Sequence, residues 1–191
     1  MNINDNIMEI KLVITDFDGT LVGTFQANYH AYCEAFRQVG LTLSEDDYRK
    51  CYGLRFDGFM DTMGIEDVEV RKRIRAIKGE CYPNYFGLLK VNQPLLDFIR
   101  MFRQGGGKTA VASTARGKNL TNALTHIGAT DDFDLILAGE DVKEGKPSPE
   151  IYNTVMQRMG VSPDQTLIFE DSSVGLQAAQ VAGAHYITIN L

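Results

Sequence analysis

The stretch that most constrains this chain is Ile10–Leu21, IKLVITDFDGTL. Ile10, Leu12, Val13 and Ile14 form a short apolar run rich in β-branched residues. Such a run suits a buried central strand, although its length alone does not exclude a helix. It ends at Asp16 and Asp18, followed at once by Gly19 and Thr20. Carboxylates two residues apart face the same way only on extended backbone. Crowded together without a cation they repel and the pKa of one rises; a hard divalent ion such as Mg2+ relieves the conflict by taking oxygen ligands. The plainer reading is an Asp-Gly turn, since both residues are common in turns. In an open α/β sheet, however, ligands bind at the carboxyl ends of the strands. The rest of the chain has to decide between turn and catalytic site.

Beyond residue 92 apolar periodicity alternates between helix and strand. It predicts helices over 93–104, 118–127, 149–159 and 173–181, and strands over 108–113, 133–138, 165–169 and 185–189. Strands separated by helices of about ten residues imply a parallel sheet with right-handed crossovers. Upstream, Phe25, Tyr29, Tyr32, Phe36 and Val39 recur at helical spacing, with Thr24 as N-cap and Gly40 as the C′ glycine. Ser44 opens a second helix, and 57–63 and 66–81 read as two more, broken at Gly64 and Pro83. The expectation is a doubly wound parallel α/β core over 1–23 and 89–191, interrupted by an all-helical, strand-free insert over 24–88.

Composition limits the classes available. A chain of 191 residues, 44% hydrophobic and 23% charged, makes one globular domain or one domain with an insertion. A formal charge of −6 weighs against nucleic acid or an anionic membrane as the main partner. Cys33, Cys51 and Cys81 form no CxxC pair, so reduced structural thiols and a cytoplasmic setting are expected. The stretch MNINDNIMEI lacks the basic and apolar regions of a signal peptide, and no apolar run approaches the ~18 residues of a membrane span. A monomer is the default.

The predicted strand ends carry chemistry. The strand TAVAS reaches Ser113 and Thr114, the loop EGKPSPEIY carries Lys146, and TLIFEDSSVG runs into Glu170 and Asp171. Singly these are a cap, a solvated loop and an acidic helix start. A parallel sheet puts them on one edge together with Asp16 and Asp18. Together they fit phosphoryl transfer, which needs a nucleophile, a proton donor for the leaving oxygen and positive charge around the phosphoryl oxygens. Asp16 would attack to form an aspartyl-phosphate, and Asp18 would protonate the leaving oxygen and later deprotonate water. Lys146 would supply charge, and the Ser113 and Thr114 hydroxyls hydrogen bonds. Asp171, Asp16 and a backbone carbonyl near Asp18 would hold Mg2+, with Glu170 bound directly or through water.

DFDGTL, VAST, GKPSPEIY and FEDSSVGLQAA, in this order and spacing, resemble the four motifs of the haloacid dehalogenase-like hydrolase superfamily. The resemblance covers residues 8–23 and about 90–191, and an insert directly after the first motif is similar to the phosphoglycolate phosphatase and β-phosphoglucomutase branch. It implies Asp16 as nucleophile, Asp18 as acid/base, Ser113 and Lys146 as phosphate ligands, and Mg2+ at Asp16, Asp18 and Asp171. It also implies that the insert is a cap that closes over the site and selects substrate. There are departures. Gly23 stands where many relatives carry an acid, and His30 matches a histidine of some relatives at slightly longer spacing. In CYGLRFDGF, Tyr52 and Phe56 replace the Lys and Arg of the mutase branch, with Arg55 adjacent as a partial substitute. The resulting expectation is a Mg2+-dependent phosphatase for a small phosphorylated metabolite, phosphoglycolate phosphatase-like, with Arg55 and His30 as cap contacts. A phosphosugar mutase is the alternative. Asp18 disfavours carbon–halogen chemistry, since the true dehalogenases lack it; the order of the acids disfavours a phospho-receiver; and the first strand is followed by neither G-x-G-x-x-G nor a P-loop.

Overall fold

The computed structural model describes residues 9–191. Residues 1–8, assigned to the core and read for a leader above, lie outside the described residues. Strand β1 (Leu12–Thr15), with all four residues buried, occupies the centre of a five-stranded parallel sheet. The other members are β4 (Lys108–Ala112), β5 (Leu135–Leu137), β6 (Thr166–Glu170) and β7 (His185–Thr188), in the order β5-β4-β1-β6-β7. Thr15 pairs with Val111 on one side and Phe169 on the other. Carried one residue further, this register sets Asp16 beside Ala112 and Glu170, and the Asp16 amide donates to the Phe169 carbonyl at 3.0 Å. Three strands therefore end flush.

Alternation along the strands builds two cores. Val13, Val111 and Phe169 pack with Leu96 and Ile99 of α5 (Gln93–Gln104) and Leu120 and Leu124 of α6 (Gly117–His126). Leu12, Ile14, Ala110 and Ile168 pack with Ile151, Tyr152 and Val155 of α7 (Glu150–Met159) and Ala178 and Ala179 of α8 (Ser173–Val181). Helices on both faces of a parallel sheet make the doubly wound architecture that the sequence predicts.

Between β1 and α5 lies the insert: α1 (Phe25–Gln38), α2 (Glu45–Cys51), α3 (Phe56–Thr62), α4 (Val68–Cys81) and a 3-10 segment, Tyr82–Leu88. Its own core holds Phe36, Tyr48, Phe59, Met60 and Ile74. Ser44 caps α2 by accepting from the Asp47 amide, and Gly40 takes φ 80° after α1. Three local details depart from expectation. Thr24 stands at the N-cap of α1 as expected, but its hydroxyl makes no capping bond and donates to Asp18 instead. Helix α4 begins after Asp67, which accepts from the Glu69 and Val70 amides. At the ends of the insert, β2 (Val22–Gly23) and β3 (Lys90–Val91) pair as an antiparallel ribbon, each too short to leave a period-two pattern in the sequence. Among the described residues no helix is long and apolar enough to cross a membrane.

Candidate active site

The Asp-Gly turn and the reactive-looking edge prove to be the same feature. Gly19 takes φ 92°, and a Cβ there would overlap the Asp171 carboxylate, so only glycine lets the turn pass that close. The turn sends the two acids to different partners. Asp16, 6% exposed, accepts a hydrogen bond from Lys146 Nζ at 2.6 Å. Asp18 faces the insert and accepts from Thr24 Oγ1 at 2.6 Å, Asn28 Nδ2 at 3.4 Å and Ser113 Oγ at 3.4 Å.

Lys146 is the hub. Its ammonium donates to Asp16 Oδ1, to Glu170 Oε1 at 2.5 Å and to the Ala112 carbonyl at 3.2 Å, so its three hydrogens are all engaged. Glu170 is completely buried and is the most heavily bonded acid of the site. One oxygen accepts from Lys146 and from Tyr152 Oη at 3.0 Å; the other accepts from the Asp171 and Ser172 amides and Ser172 Oγ. Asp171 accepts from Thr20 Oγ1 at 2.8 Å.

The electrostatics follow from one ammonium facing four carboxylates. Burial pushes the Asp16 carboxyl up to about 8; Lys146 opposes this, and Glu170 and Asp18 reinforce it. Burial opposes the charge on Lys146 too, but Asp16 and Glu170 outweigh it and hold the ammonium's pKa well above its ordinary value. Burial likewise works against ionised Glu170, yet Lys146 and Ser172 keep it below the usual carboxylate value. Asp171 is raised by burial and by Glu170, against the bond from Thr20. Oxygen atoms of Asp16, Glu170 and Asp171 lie within 4.8 Å of one another. An all-oxygen, anionic donor set with two acids held partly against ionisation fits a hard divalent cation.

Helix α8 reaches this cluster because it carries Gly175 at its closest point. A Cβ at Gly175 would overlap the Glu170 carboxylate. Gly175→Ala should therefore cost about 1–3 kcal/mol by overpacking and lower activity by displacing Glu170, as read by thermal melting and by turnover. An unchanged melting temperature would mean that α8 shifts freely.

A cavity of about 640 Å³ opens between this edge and the insert. Asp16, Asp18, Thr114, Lys146 and Asp171 face it from the core; Ser113, 1% exposed, lies behind, bonded to Asp18 and accepting from the Ala115 amide. Arg55 lines the cavity from the insert and reaches the core: its guanidinium fills the space that a Cβ on Gly145 would take, beside Lys146. His30 does not join them. It is exposed on α1 and stacked on Tyr85 at 5.7 Å, whereas Asn28 reaches Asp18. Two residues along a helix turn about 200°, so one faces the site and the other faces away. The i, i+4 spacing of Thr24 and Asn28, which puts both on one helix face, was the available signal.

Other cavity residues escaped the sequence reading. Arg75 lies over the Phe56 ring at 4.1 Å and pairs with Asp57 at 2.9 Å. Lys78 lies 3.9 Å from the Tyr82 ring centroid and 5.3 Å from that of Tyr32, and burial brings its ammonium down to about 8. Phe56 thus occupies a position where the mutase branch carries a cation, and α4 brings a cation to the same place.

Comparison with known proteins agrees with this geometry. Residues 13–189 match the haloacid dehalogenase-like hydrolase family. Fructose-1-phosphate phosphatase YqaB of Escherichia coli is 35% identical over 94% of this chain and 96% of its own. The phosphorylated carbohydrates phosphatase of Thermotoga maritima is 30% identical over 93% and 84%. CbbY of Rhodobacter sphaeroides, solved with phosphate and, as a variant, with xylulose-(1,5)bisphosphate, superposes with a TM-score of 0.86 at 26% identity over 95% of this chain and 87% of its own. With its four motifs on one sheet edge and relatives of these kinds, the chain belongs to the haloacid dehalogenase-like hydrolases and is a phosphatase within that family.

Proposed function

We propose that this chain is a Mg2+-dependent phosphatase that hydrolyses a small phosphorylated carbohydrate through an aspartyl-phosphate, with residues 24–88 acting as a cap over a core formed by the rest. The observation that carries the reading is Asp16: a buried carboxylate at the end of the central strand, bonded to Lys146, with Asp18 on the same cavity. Asp16, Glu170 and Asp171, with a backbone carbonyl near Asp18, would hold Mg2+, which when bound offsets phosphoryl charge. Lys146, whose hydrogens are already bonded, would supply positive charge beside the phosphoryl oxygens, and the Thr114 hydroxyl and nearby amides would hydrogen-bond them, with Ser113 behind, on Asp18. Asp16 attacks phosphorus, and Asp18 gives its proton to the departing alkoxide. Asp18 then takes a proton from water as that water attacks phosphorus, releasing inorganic phosphate and restoring Asp16.

The cap wall supports the choice of substrate. It combines ring faces of Tyr52, Phe56 and Tyr82 with the cations Arg55, Arg75 and Lys78; the ring faces suit a carbohydrate skeleton better than the two-carbon glycolate, for which the cations alone would serve. The named relatives act on fructose 1-phosphate and phosphorylated carbohydrates. Arg75 on the Phe56 ring also weakens the argument that this cap lacks a cation for a second anionic group, and that keeps a phosphosugar mutase as the second reading.

Phosphate release from a panel of hexose phosphates, phosphoglycolate and nucleoside monophosphates with Mg2+ tests the proposal, with Asp16→Asn as the blank. A hexose phosphate should be preferred, and EDTA should stop release until Mg2+ is restored. Release indifferent to EDTA would remove the metal, and preference for phosphoglycolate would remove the carbohydrate. Conversion of β-glucose 1-phosphate to glucose 6-phosphate without release would favour the mutase.

Lys78 adds a pH dependence. Its amine carries charge below about 8 and loses it above. For an anionic sugar phosphate, kcat/KM reports the free enzyme and should fall more steeply above that pH in the wild type than in Lys78→Met. Parallel profiles would mean that Lys78 does not meet the substrate.

A further inference from the structure

Tyr52 follows α2 in the insert, and its hydroxyl lies 3.2 Å from Thr24 Oγ1. Thr24, itself completely buried, donates to Asp18 Oδ1 at 2.6 Å. A hydroxyl has one proton, and Oδ1 of Asp18 only accepts, both when the carboxylate is ionised and when Oδ2 carries the acid's proton. Thr24 therefore gives its proton to Asp18, and the contact with Tyr52 runs the other way, with Tyr52 donating. Burial, together with Asp18 nearby, pushes the Tyr52 phenol up and keeps it the protonated donor.

We propose that Tyr52 is a positioning residue for Asp18, acting through a directed chain from the Tyr52 hydroxyl to the Thr24 hydroxyl to Asp18 Oδ1. The proposal rests on the reading of Asp18 as the acid that protonates the leaving oxygen. A hydroxyl that accepts one hydrogen bond becomes a stronger donor in the next. The chain holds Oδ1 firmly, whereas Oδ2 has only the long 3.4 Å bond from Ser113 Oγ. Oδ2 is thus the oxygen left to carry a proton to the leaving group. The ring of Tyr52 packs on Phe25 at 5.1 Å and on Tyr48 at 6.0 Å, so its hydroxyl is placed by the packing of α1 against α2. The Tyr52–Thr24 contact lies within the insert, and the bond from Thr24 to Asp18 joins it to the sheet edge.

Tyr52→Phe keeps the ring and removes the donor. Release of the alcohol is followed in single turnover, with enzyme in excess and Mg2+ present, from glucose 6-phosphate and from p-nitrophenyl phosphate. A sugar alkoxide needs the proton and nitrophenolate does not. Tyr52→Phe should slow sugar release about 10-fold, a fraction of what a general acid supplies, with KM and nitrophenolate release within about twofold of wild type. Equal slowing of both esters, a change in KM alone, or no change would each overturn the proposal. Asp18→Asn runs alongside and should slow the sugar ester far more than the nitrophenyl ester. Should it slow both alike, Asp18 is not the acid and the proposal falls with that reading; should it discriminate while Tyr52→Phe does not, only the role of Tyr52 falls.

Discussion

Asp16→Asn is expected to lower turnover by about four orders of magnitude or more while leaving the fold in place, as loss of a nucleophile does in enzymes that act through a covalent intermediate. The amide is nearly isosteric, and its oxygen can still accept from Lys146. It is a poor nucleophile toward phosphorus. The substitution also removes one of four crowded acids, so thermal stability without metal should not fall. The sign of the pH dependence follows from Asp16, whose pKa is raised from 3.8 to about 8 in the fold. The native state then binds the extra proton between these values, and stability falls as pH rises through that window. In chelator, wild type should lose stability relative to Asp16→Asn from acid pH up to about 8. Melting curves across pH and a turnover assay check both statements. Substantial activity in the variant would remove the aspartyl-phosphate.

Lys146→Met is expected to have the second largest effect, on stability as well as rate. Lys146 is 4% exposed in its side chain and bridges Asp16 to Glu170. Removing one partner of a buried pair leaves charge uncompensated and typically costs about 3–5 kcal/mol. Loss of the positive charge proposed to face the phosphoryl oxygens should cost about 10²–10³ in kcat, as for other electrostatic stabilisers of a transition state. The two effects are separable. Adding Glu170→Gln to Lys146→Met should recover part of the stability, because the neutral amide needs no counter-charge, and none of the rate. Chemical denaturation and steady-state kinetics on the single and double variants measure this. If the double variant is no more stable than the single one, the ion pair is not what Lys146 contributes to the fold.

Much of this architecture was legible in short stretches. The predicted helix over 93–104 coincides with α5 and that over 173–181 with α8. The first has a strong amphipathic pattern, and a glycine follows each within two residues. The order of strands and helices implied the parallel sheet, and the sheet implied that Asp16, Ser113 and Glu170 emerge on one edge, where the register puts them. The two-residue β2–β3 ribbon left no pattern to read. The sequence offered Glu170 and Asp171 as adjacent acids, Asp171 as a metal ligand and Glu170 as one bound directly or through water. Only the fold distinguishes the completely buried Glu170, wrapped by five donors, from the partly exposed Asp171, bonded by Thr20.

The wall of the cavity formed by the insert was the least legible part. His30 was singled out because it matches a histidine of some relatives, yet its place on α1 turns it toward Tyr85, while Asn28 faces Asp18. Phe56 read as a lost cation until α4 brought Arg75 onto its ring. Tyr52 read as a missing lysine until its hydroxyl proved to meet Thr24, 28 positions away. By itself the sequence determined the longer elements, their order, the class of sheet and which acids and hydroxyls gather at its edge, because these depend on periodicity and spacing over ten or so residues. Tertiary structure alone decided which side chains of the insert meet that chemistry. Such meetings depend on how helices distant in sequence pack and on the rotation of each about its axis, and no local pattern carries either.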